Sequence, residues 1–325
     1  MRSSAIAIGF AATLLCAGAS HAQSPAGNYP TKPVTLIAPF PPGTTTEFSA
    51  REISQIYTES LGRPFLVDFK AGAGGLIGHT YVAKSSPDGY TLLVLGGSFT
   101  TLPAFEDRLP YDPIKGFDPI SLFTKRSVLL VVTPSSTIKT FPDFLAYARA
   151  NPGKINMGTS GVGSTFHLFG SLLASATGTQ LTFVHYKGNA ANFIDLVAGR
   201  IEASPMTVYA SLPFVKAGKV RPIALLASQR SPFMPDLPTV AEMGVNGVDC
   251  LTWIGLAAPA GTPKDILARL NRPLAAYAAS KEGQARAASQ GDELVGSQPD
   301  VLARLISAEI AAWKKVVAEN KIKPE

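Results

Sequence analysis

DCLTWIGLAAPAGTP, residues 249–263, is a long extended run that follows the second of two sets of predicted strands. Another stretch, LPYDPIKGFDPI (109–120), is rich in proline and interrupts the first set. Two such segments are what a chain needs in order to cross to a second domain and return. We therefore predict two lobes: residues 23–124 with 253–325 form the first, and residues 125–252 form the second.

Short apolar runs alternate with helical patterns from residue 29 onward. Strands separated by helices of about 10–15 residues indicate parallel sheets with right-handed crossovers, which is α/β architecture. The chain has 325 residues, 46% of them hydrophobic, which is enough for two domains with sizeable cores. The predicted strands are VTLIAPF (34–40), PFLVDF (64–69), YTLLVLG (90–96), SVLLVVTP (127–134), KINMGTS (154–160), LTFVHY (181–186) and RPIALLA (221–227).

Several helix starts carry capping signals. TTTE (44–47) allows a capping box, and the helix that follows ends at Gly62. TFPD (140–143) opens another helix in the same way, and TPKD (262–265) and SQPD (297–300) add proline near the first helical position. The last helix carries an apolar stripe that suits packing onto a sheet: Leu302, Ile306, Ile310, Trp313 and Val317.

The first 22 residues are typical of a secretory signal peptide. Arg2 precedes an apolar run, and small residues come before a cleavage point after Ala22. The run is too short for a membrane span, and Cys16 lacks the small residues that a lipoprotein signal needs, so simple cleavage is favoured. Cleavage leaves Cys250 as the one cysteine of the mature chain, which excludes an internal disulfide. We expect an exported protein of the periplasm.

The charge pattern excludes one class of partner. The net charge is +6 and charged residues make up 16% of the chain, but the basic residues are scattered singly. No basic run or aromatic interleaving of the kind used for nucleic acid is present in the sequence. A mildly positive balance favours anionic ligands only weakly.

The glycine-rich loop AGAGGLIGH (71–79) raises the question of a dinucleotide cofactor. A strand precedes the loop and a helix follows it, as in a Rossmann fold. The G-x-G-x-x-G form fails at Ile77, however, and the nearest acidic residue, Asp88, lies in a turn before a strand instead of at a strand end. We expect no cofactor, and we interpret the loop as a place where the backbone approaches another group closely.

Catalytic and metal motifs are weak. GTSGVG (158–163) resembles a nucleophile elbow but has Val162 where the motif requires glycine. The histidines at 79, 167 and 185 show neither paired carboxylates nor the close spacing of a metal site, so ordinary hydrogen-bonded or surface histidines are favoured. We expect neither a catalytic set nor a metal site.

Hydroxyl and glycine residues gather where predicted strands end and helices begin. The three clusters are PPGTTTE (41–47), GGSFTT (96–101) and SGVGSTFH (160–167). Ligands of open α/β sheets bind beyond the carboxyl ends of the strands, and helix N-termini with Ser and Thr hydroxyls favour anions. Simple helix capping would explain some of these residues. Three clusters across two lobes indicate an anion-binding cleft.

The chain resembles a known family, the Bug-type periplasmic solute-binding proteins of tripartite tricarboxylate transporters. The resemblance covers essentially the whole mature chain, and the motifs occur in order. They are YPTKPVTLIAPFPPG (29–43), AGAGGLIG (71–78), SSPDGYTLLV (85–94), LPYDPIKGFDPIS (109–121), ANPGKINMGTSGVGSTFHL (150–168), RSPFMPDLPTVAEMG (230–244) and LAAPAGTP (256–263).

The resemblance implies a two-lobed binding protein of type II, similar to cluster D, with a central cleft. It implies a non-enzymatic monomer that captures a mono- or dicarboxylate, without a cofactor, and delivers it to inner-membrane transporter subunits. Two other classes remain open at this point: an exported α/β enzyme that acts on a carboxylate, and a ligand-sensing module for a receptor.

The family's binding residues map onto strand-end loops of this chain. In place of the family's PAGGGTD and YRGSAPA patterns this chain has PPGTTTE (41–47) and YKGNAAN (186–192), and PMT (205–207) replaces an FDN segment. The missing acidic group at Met206 argues against amino-acid ligands. Phe48, Phe99, Phe166 and Met206 could line an apolar slot for an aromatic or longer dicarboxylate, or could simply pack within the lobes. The implied ligand-binding residues are Pro42, Gly43, Thr44, Thr45, Thr46, Ala73, Gly74, Ser98, Thr100, Thr159, Gly163, Ser164, Thr165, Lys187, Gly188, Asn189 and Met206.

Overall fold

A computed structural model describes residues 28–106, 108–186, 188–319 and 322. The predicted signal peptide (1–22) and the predicted site residue Lys187 lie outside the described residues. Within these ranges, no helix has both the length and the apolar character needed to cross a membrane.

The first half of the chain alternates strands and helices. Strand β1 pairs in parallel with both β2 and β3, which places the helix starts that follow these strands along one sheet edge. The elements are β1 (Val34–Ala38), α1 (Thr45–Leu61), β2 (Phe65–Phe69), a 3-10 turn (Ala73–Gly75), α2 (Leu76–Ala83), β3 (Thr91–Gly96), α3 (Gly97–Phe105) and β4 (Phe117–Val132).

The middle of the chain repeats the pattern, and β5 pairs in parallel with β6 and β7. The elements are α4 (Phe141–Ala150), β5 (Asn156–Thr159), α5 (Thr165–Thr177), β6 (Thr182–His185), α6 (Asn189–Val197), β7 (Ala203–Thr207), α7 (Val208–Lys216) and β8 (Arg221–Leu225). The C-terminal elements are β9 (Leu251–Pro259), α8 (Lys264–Ala279), α9 (Lys281–Gln290), β10 (Glu293–Leu294) and α10 (Pro299–Glu319).

Strand β4 joins the two halves. Its residues 117–127 pair antiparallel with β9, and its residues 128–132 pair antiparallel with β7 and β8. The strand order is β2-β1-β3-β9-β4-β7-β5-β6. We call β1, β2, β3, β9, β10 and residues 117–127 the first sheet, and β5 to β8 with residues 128–132 the second sheet.

The expectation of purely parallel sheets is wrong at the centre, where β9 and β4 run antiparallel to their neighbours. The proline-rich signal of residues 109–120 hid the first part of β4, because its register shifts near Pro119 accommodate a residue that cannot donate to the ladder. Strand β7 was not predicted either. Its sequence, ASPMT, contains Pro205, and its five residues are all buried, so it lacks the alternating pattern of a half-exposed strand.

Helix capping follows the sequence at α4 and in part at α1, where the Glu47 carboxylate accepts from the Gly43 amide and not from the Thr44 amide that a capping box requires. The Thr44 side chain accepts a hydrogen bond from the Glu47 amide, and Gly62 ends α1 with a φ of 68°. Thr140 and Asp143 form a complete capping box. The predicted cap at Thr262 is wrong, since its hydroxyl donates to the Pro259 carbonyl and α8 has no side-chain cap.

Helix α10 packs against both sheets. Its first part, with Leu302, Ile306 and Ile310, belongs to a core cluster of the first sheet. Trp313, nearer its end, belongs to a core cluster of the second sheet, with its ring 5.7 Å from that of Phe169 in α5. The last helix, which the sequence places wholly in the first lobe, therefore contacts the cores of both halves.

Candidate ligand-binding cleft

The register along β4 shows where the two sets of strand ends meet. Gly96, the last residue of β3, pairs with Ile254, which in turn pairs with Thr124 of β4. Thr207, the last residue of β7, pairs with Val128. Strand β7 runs antiparallel to β4 and β3 runs parallel to it, so their carboxyl ends point in opposite directions toward one level of the sheet. Along β4 the two ends are four residues apart, about 13 Å at about 3.3 Å per residue.

Helix starts from the two sheets touch across this meeting point. A Cβ atom built on Gly97, at the start of α3, would lie 2.6 Å from Thr165 Oγ1, at the start of α5. A Cβ on Gly163 would lie 3.4 Å from the Phe105 ring. The first residues of α3 and α5, Gly97 and Thr165, are therefore in contact. Helix N-termini carry amides without intrahelical acceptors and favour anions, so this contact marks a candidate anion site.

The loop after β1 is held in shape by Glu47. Its carboxylate accepts a hydrogen bond from the Gly43 amide at 2.6 Å and pairs with Arg51 at 2.7 Å. These two contacts lower the pKa of Glu47, the Gly43 amide having the larger effect. The Gly43 amide, which the sequence assigns to the ligand, thus already donates to Glu47. The amides of Thr45 and Thr46 precede the first intrahelical hydrogen bond, so the helix offers them no acceptor.

The glycine loop has a backbone that few side chains tolerate. Gly74 and Gly75 have φ values of 62° and 104°, and Ala73 adopts 46°. A Cβ on Gly78 would lie 2.8 Å from the Pro39 side chain. Glycine at position 78 therefore lets α2 pack directly on the loop after β1. The predicted residues Ala73 and Gly74 lie in the 3-10 turn just before α2.

Residues at the start of α3 have different environments. The Ser98 hydroxyl oxygen is buried, and it has no hydrogen-bond partner within the described part of the chain. It lies 3.4 Å from where a Cβ on Gly75 would be. Thr100 is fully buried, and its hydroxyl lies 2.7 Å from a Glu309 carboxylate oxygen. Ser98 is therefore the better-placed donor for a ligand.

Three histidines lie in elements next to these loops, His79 in α2, His167 in α5 and His185 at the end of β6. The sequence favours ordinary hydrogen-bonded or surface roles for them. His79 is fully buried beside Tyr111, 3.0 Å from its hydroxyl, and burial lowers the pKa of His79 to about 3. Burial and the neighbouring His185 lower the pKa of His167 to about 4. Neutral His167 accepts a hydrogen bond from the Gly163 amide at 3.2 Å, as Glu47 does from Gly43.

The hydroxyl groups of the loop after β5 form hydrogen bonds within the second half. Ser164 accepts a hydrogen bond from the His167 amide at 3.3 Å and caps α5. Thr159 Oγ1 lies 2.8 Å from His185 Nδ1. The side chain of Thr165 contacts the α3 start, and its amide precedes the first intrahelical hydrogen bond.

The loops after β6 and β7 complete the second half of the edge. Gly188, with a φ of 103°, precedes α6, which begins at Asn189. Thr207 caps α7 by accepting a hydrogen bond from the Ala210 amide. Neither this helix start nor β7 has a clear signal in the sequence. Met206 packs into a core cluster of the second sheet and is 5% exposed.

The apolar slot suggested by the sequence is mostly core. Phe99 is fully buried against His79 and Phe117, and Phe166 and Met206 are also buried. Phe48, in contrast, is 51% exposed in the first turn of α1. Simple packing, the alternative reading, therefore explains Phe99, Phe166 and Met206.

Across the described ranges, no group of three or more histidine, cysteine, aspartate or glutamate side chains is arranged to hold a metal ion. Cys250 is buried, and burial raises the pKa of its thiol well above the usual value. A thiol in that state is a poor nucleophile.

Glu309 is a residue of α10 whose carboxylate contacts the Thr100 hydroxyl of α3. It also accepts a hydrogen bond from the Trp253 indole N–H at 2.9 Å, so both of these hydrogen-bond partners are uncharged. Burial raises its pKa. The folded state therefore holds the Glu309 proton more tightly than the unfolded state, so stability is lost as pH rises from the unfolded pKa, about 4.3, through the folded pKa.

Glu309→Gln should remove this loss. The amide can accept from Trp253 and donate to Thr100, whose hydroxyl also lies 2.8 Å from the Gly97 carbonyl. We expect the free energy of unfolding of the variant to decline less than that of the wild type between pH 4.5 and 8, measured by urea titration. Glu319→Gln, at an exposed position of the same helix, is the control. Parallel pH curves for wild type and Glu309→Gln would contradict this account.

Comparison with known proteins shows the family to which this chain belongs. The sequence model of the family described as "Tripartite tricarboxylate transporter family receptor" matches residues 49–322 of this chain. Protein BugT of Bordetella pertussis is 33% identical over 300 residues, covering 92% of this chain and 92% of BugT. The chain belongs to the tripartite tricarboxylate transporter receptor family, whose Bug-type members are extracytoplasmic solute-binding receptors.

Two solved structures are similar over nearly the whole fold. R. palustris Rpa4515 with adipate superimposes with a TM-score of 0.86 at 36% identity, covering 91% of this chain and 100% of that one. MatC (Rpa3494) from Rhodopseudomonas palustris with bound malate gives a TM-score of 0.82 at 32% identity, covering 89% and 100%. The fold is that of periplasmic binding proteins.

Proposed function

We propose that this chain is a non-enzymatic receptor that captures a dicarboxylate between the ends of its two sheets and delivers it to a membrane transporter. The observation that carries the proposal is the contact between the first turns of α3 and α5 at the meeting strand ends. Each helix start offers amides to one carboxylate, so a ligand with two carboxylates engages both halves of the chain.

Both halves of the cleft offer hydrogen-bond donors to a ligand. In the first half, the donors are the amides of Thr45 and Thr46 and the Ser98 hydroxyl. In the second half, they are the Ser164 hydroxyl, the amide and hydroxyl of Thr165, and the residues at the start of α6. Adipate and malate, the dicarboxylates held by Rpa4515 and MatC, are therefore the first compounds to test. Because three of the four apolar candidates are buried, an aliphatic dicarboxylate is favoured over an aromatic one.

Closure follows from this geometry. A ligand that contacts helix starts of both sheets stabilises the arrangement in which those starts are close, whereas a ligand that contacts one sheet shifts the equilibrium little. The signal peptide directs export to the periplasm and is removed by cleavage after Ala22. The mature protein acts as a monomer. Mass spectrometry of the exported protein tests the cleavage point directly.

The decisive experiment is calorimetry of the purified mature chain with adipate, malate, phthalate, glutamate and the monocarboxylate hexanoate. We expect an aliphatic dicarboxylate to bind most tightly, with a Kd in the micromolar range or below, about −8 kcal/mol. Hexanoate should bind at least tenfold more weakly than adipate. If every compound binds more weakly than about 1 mM, or if the chain converts its ligand chemically, the proposal is wrong.

Ser164→Ala and Thr165→Ala test the second half of the cleft. Loss of the Ser164 cap should cost about 1 kcal/mol of stability, and loss of each hydroxyl donor should weaken dicarboxylate binding about three- to tenfold. Calorimetry and thermal unfolding separate the two effects. Ser175→Ala, near the end of α5, is the matched control. Unchanged affinity in both variants would remove these hydroxyls from the site.

A further inference from the structure

Arg126 lies at the point where β4 leaves the first sheet. It pairs with Thr252 of β9, and two residues later Val128 already pairs with Thr207 of the second sheet. This is the level at which the ends of β3 and β7 face each other. The Arg126 side chain is 3% exposed, although arginine is rarely buried unless it is paired.

On one side, Arg126 is bound to elements that belong with the first sheet. Its Nε and Nη2 donate to Asp292 Oδ2 at 3.0 and 2.7 Å. Nη2 also donates to the Ser49 hydroxyl at 2.8 Å. Ser49 is in the second turn of α1, the helix whose start carries Thr45 and Thr46. Asp292 lies between α9 and β10, and β10 pairs with β4 at Thr124 and Lys125.

On the other side, Arg126 contacts the second half of the cleft. Its guanidinium carbon lies 4.3 Å from the centre of the Tyr209 ring, within cation–π distance. Tyr209 is the second residue of α7, whose cap Thr207 ends β7 at the cleft edge. A Cβ on Gly291, next to Asp292, would lie 2.8 Å from the Val208 side chain, so the two halves are in close contact here.

We infer that Arg126 is a positioning residue for ligand capture, which holds α1 and α7 in the arrangement that binds the ligand without touching the ligand itself. The inference rests on the proposed function. Ser49 and Asp292 keep the guanidinium fixed to the first half of the chain. Rotation of the second sheet about β4 would therefore change mainly the contact between Arg126 and Tyr209.

This role differs from simple stabilisation. Asp292 already neutralises the buried charge, so the ion pair does not require Tyr209. The contact between Arg126 and the Tyr209 ring attracts the two halves to each other. It is present in the same arrangement in which the starts of α3 and α5 touch. Loss of that attraction favours separated halves, which weakens every ligand that bridges them and leaves a ligand of one half unaffected.

The test compares Tyr209→Leu, Tyr209→Phe and Ser49→Ala with the wild type, using adipate and malate as probes. Tyr147→Leu is the matched control, because Tyr147 is a 38% exposed tyrosine of α4. Affinity is measured by calorimetry, and the radius of gyration without ligand by small-angle X-ray scattering. Thermal unfolding confirms that each variant is folded.

We expect Tyr209→Leu to bind the better probe about two- to thirty-fold more weakly than the wild type, the range of a cation–π contact. Its radius of gyration without ligand should be larger. Tyr209→Phe keeps the ring and should bind like the wild type. Ser49→Ala, a small change that folds readily, should weaken binding in the same direction as Tyr209→Leu.

Two different failures are distinguishable. Wild-type protein that binds neither probe nor any other carboxylate overturns the proposed function. Wild-type protein that binds, with Tyr209→Leu and Ser49→Ala both matching Tyr147→Leu in affinity, overturns the role of Arg126 alone. If Tyr209→Leu is unfolded, Ser49→Ala decides between the two results.

Discussion

Replacing Arg126 with methionine should lower the free energy of unfolding by about 3–5 kcal/mol at pH 7, because it leaves a carboxylate buried without its partner. Arg126 and Asp292 form a salt bridge of 2.7 Å in which both side chains are at most 3% exposed. Burial raises the pKa of Asp292 even in the presence of Arg126. Without the guanidinium, the ionised form of Asp292 becomes more costly still.

The pH dependence identifies the cause of this loss. An acid whose folded pKa is raised destabilises the folded state fully above that pKa. The cost declines as pH falls through the folded pKa and is gone below the unfolded pKa. The deficit of Arg126→Met relative to the wild type should therefore shrink between pH 7 and pH 4. Urea unfolding at several pH values measures it. A deficit that stays constant over this range would show that the loss comes from packing and not from the charge.

Two control variants sharpen the result. Arg126→Met combined with Asp292→Leu removes both charges and should recover much of the lost stability. Arg304→Met breaks the exposed pair with Asp300, whose side chains are 70% and 62% exposed, and should cost at most about 1 kcal/mol. A double variant as unstable as Arg126→Met alone would contradict the argument.

Gly97→Ala should weaken dicarboxylate binding about 5- to 150-fold, with little change in stability. The added methyl group would lie 2.6 Å from Thr165 Oγ1, so the first turns of α3 and α5 could no longer approach as closely. Overpacking of this kind costs about 1–3 kcal/mol in the arrangement that contains the contact. Alanine is otherwise favourable in a helix, so the separated arrangement is not penalised.

Calorimetry of four proteins tests this prediction as a double-mutant cycle: the wild type, Gly97→Ala, Thr165→Ala and the double variant. Without the Thr165 hydroxyl and methyl groups, the two closest contacts of the new methyl group are gone, and the Cβ of residue 165 lies at an ordinary 3.4 Å. The double variant should therefore bind like Thr165→Ala. If Gly97→Ala weakens binding equally in both backgrounds, the contact with Thr165 is not responsible.

The parts of the fold that were predicted well depend on short-range interactions. The cap at Thr44 and the capping box at Thr140 each join groups three residues apart, so they are written in a few consecutive letters. The parallel strands β1 to β3 were also predicted, because buried strands between helices leave continuous apolar runs. The first part of β4 and all of β7 were not, since proline and small polar residues are accepted there by bulges and neighbouring strands.

The candidate site divides in the same way. The glycine and hydroxyl clusters could be recognised from their position after apolar runs, and the family motifs assigned them to a carboxylate cleft. The sequence did not show that the amides of Gly43 and Gly163 already donate to Glu47 and His167. It also did not show that Thr100 is turned toward Glu309.

By itself, the sequence determined the α/β class, the ends of several helices and the family, and it predicted the loops that bind the ligand. Only the tertiary structure decided that the strand ends of the two sheets face each other along β4, and which side chains meet there. Arg126 and Asp292 are 166 residues apart, and Thr100 and Glu309 are 209 apart. Contacts over such distances depend on how β4, β9 and α10 pack, whereas capping depends on backbone groups that are always a few residues away.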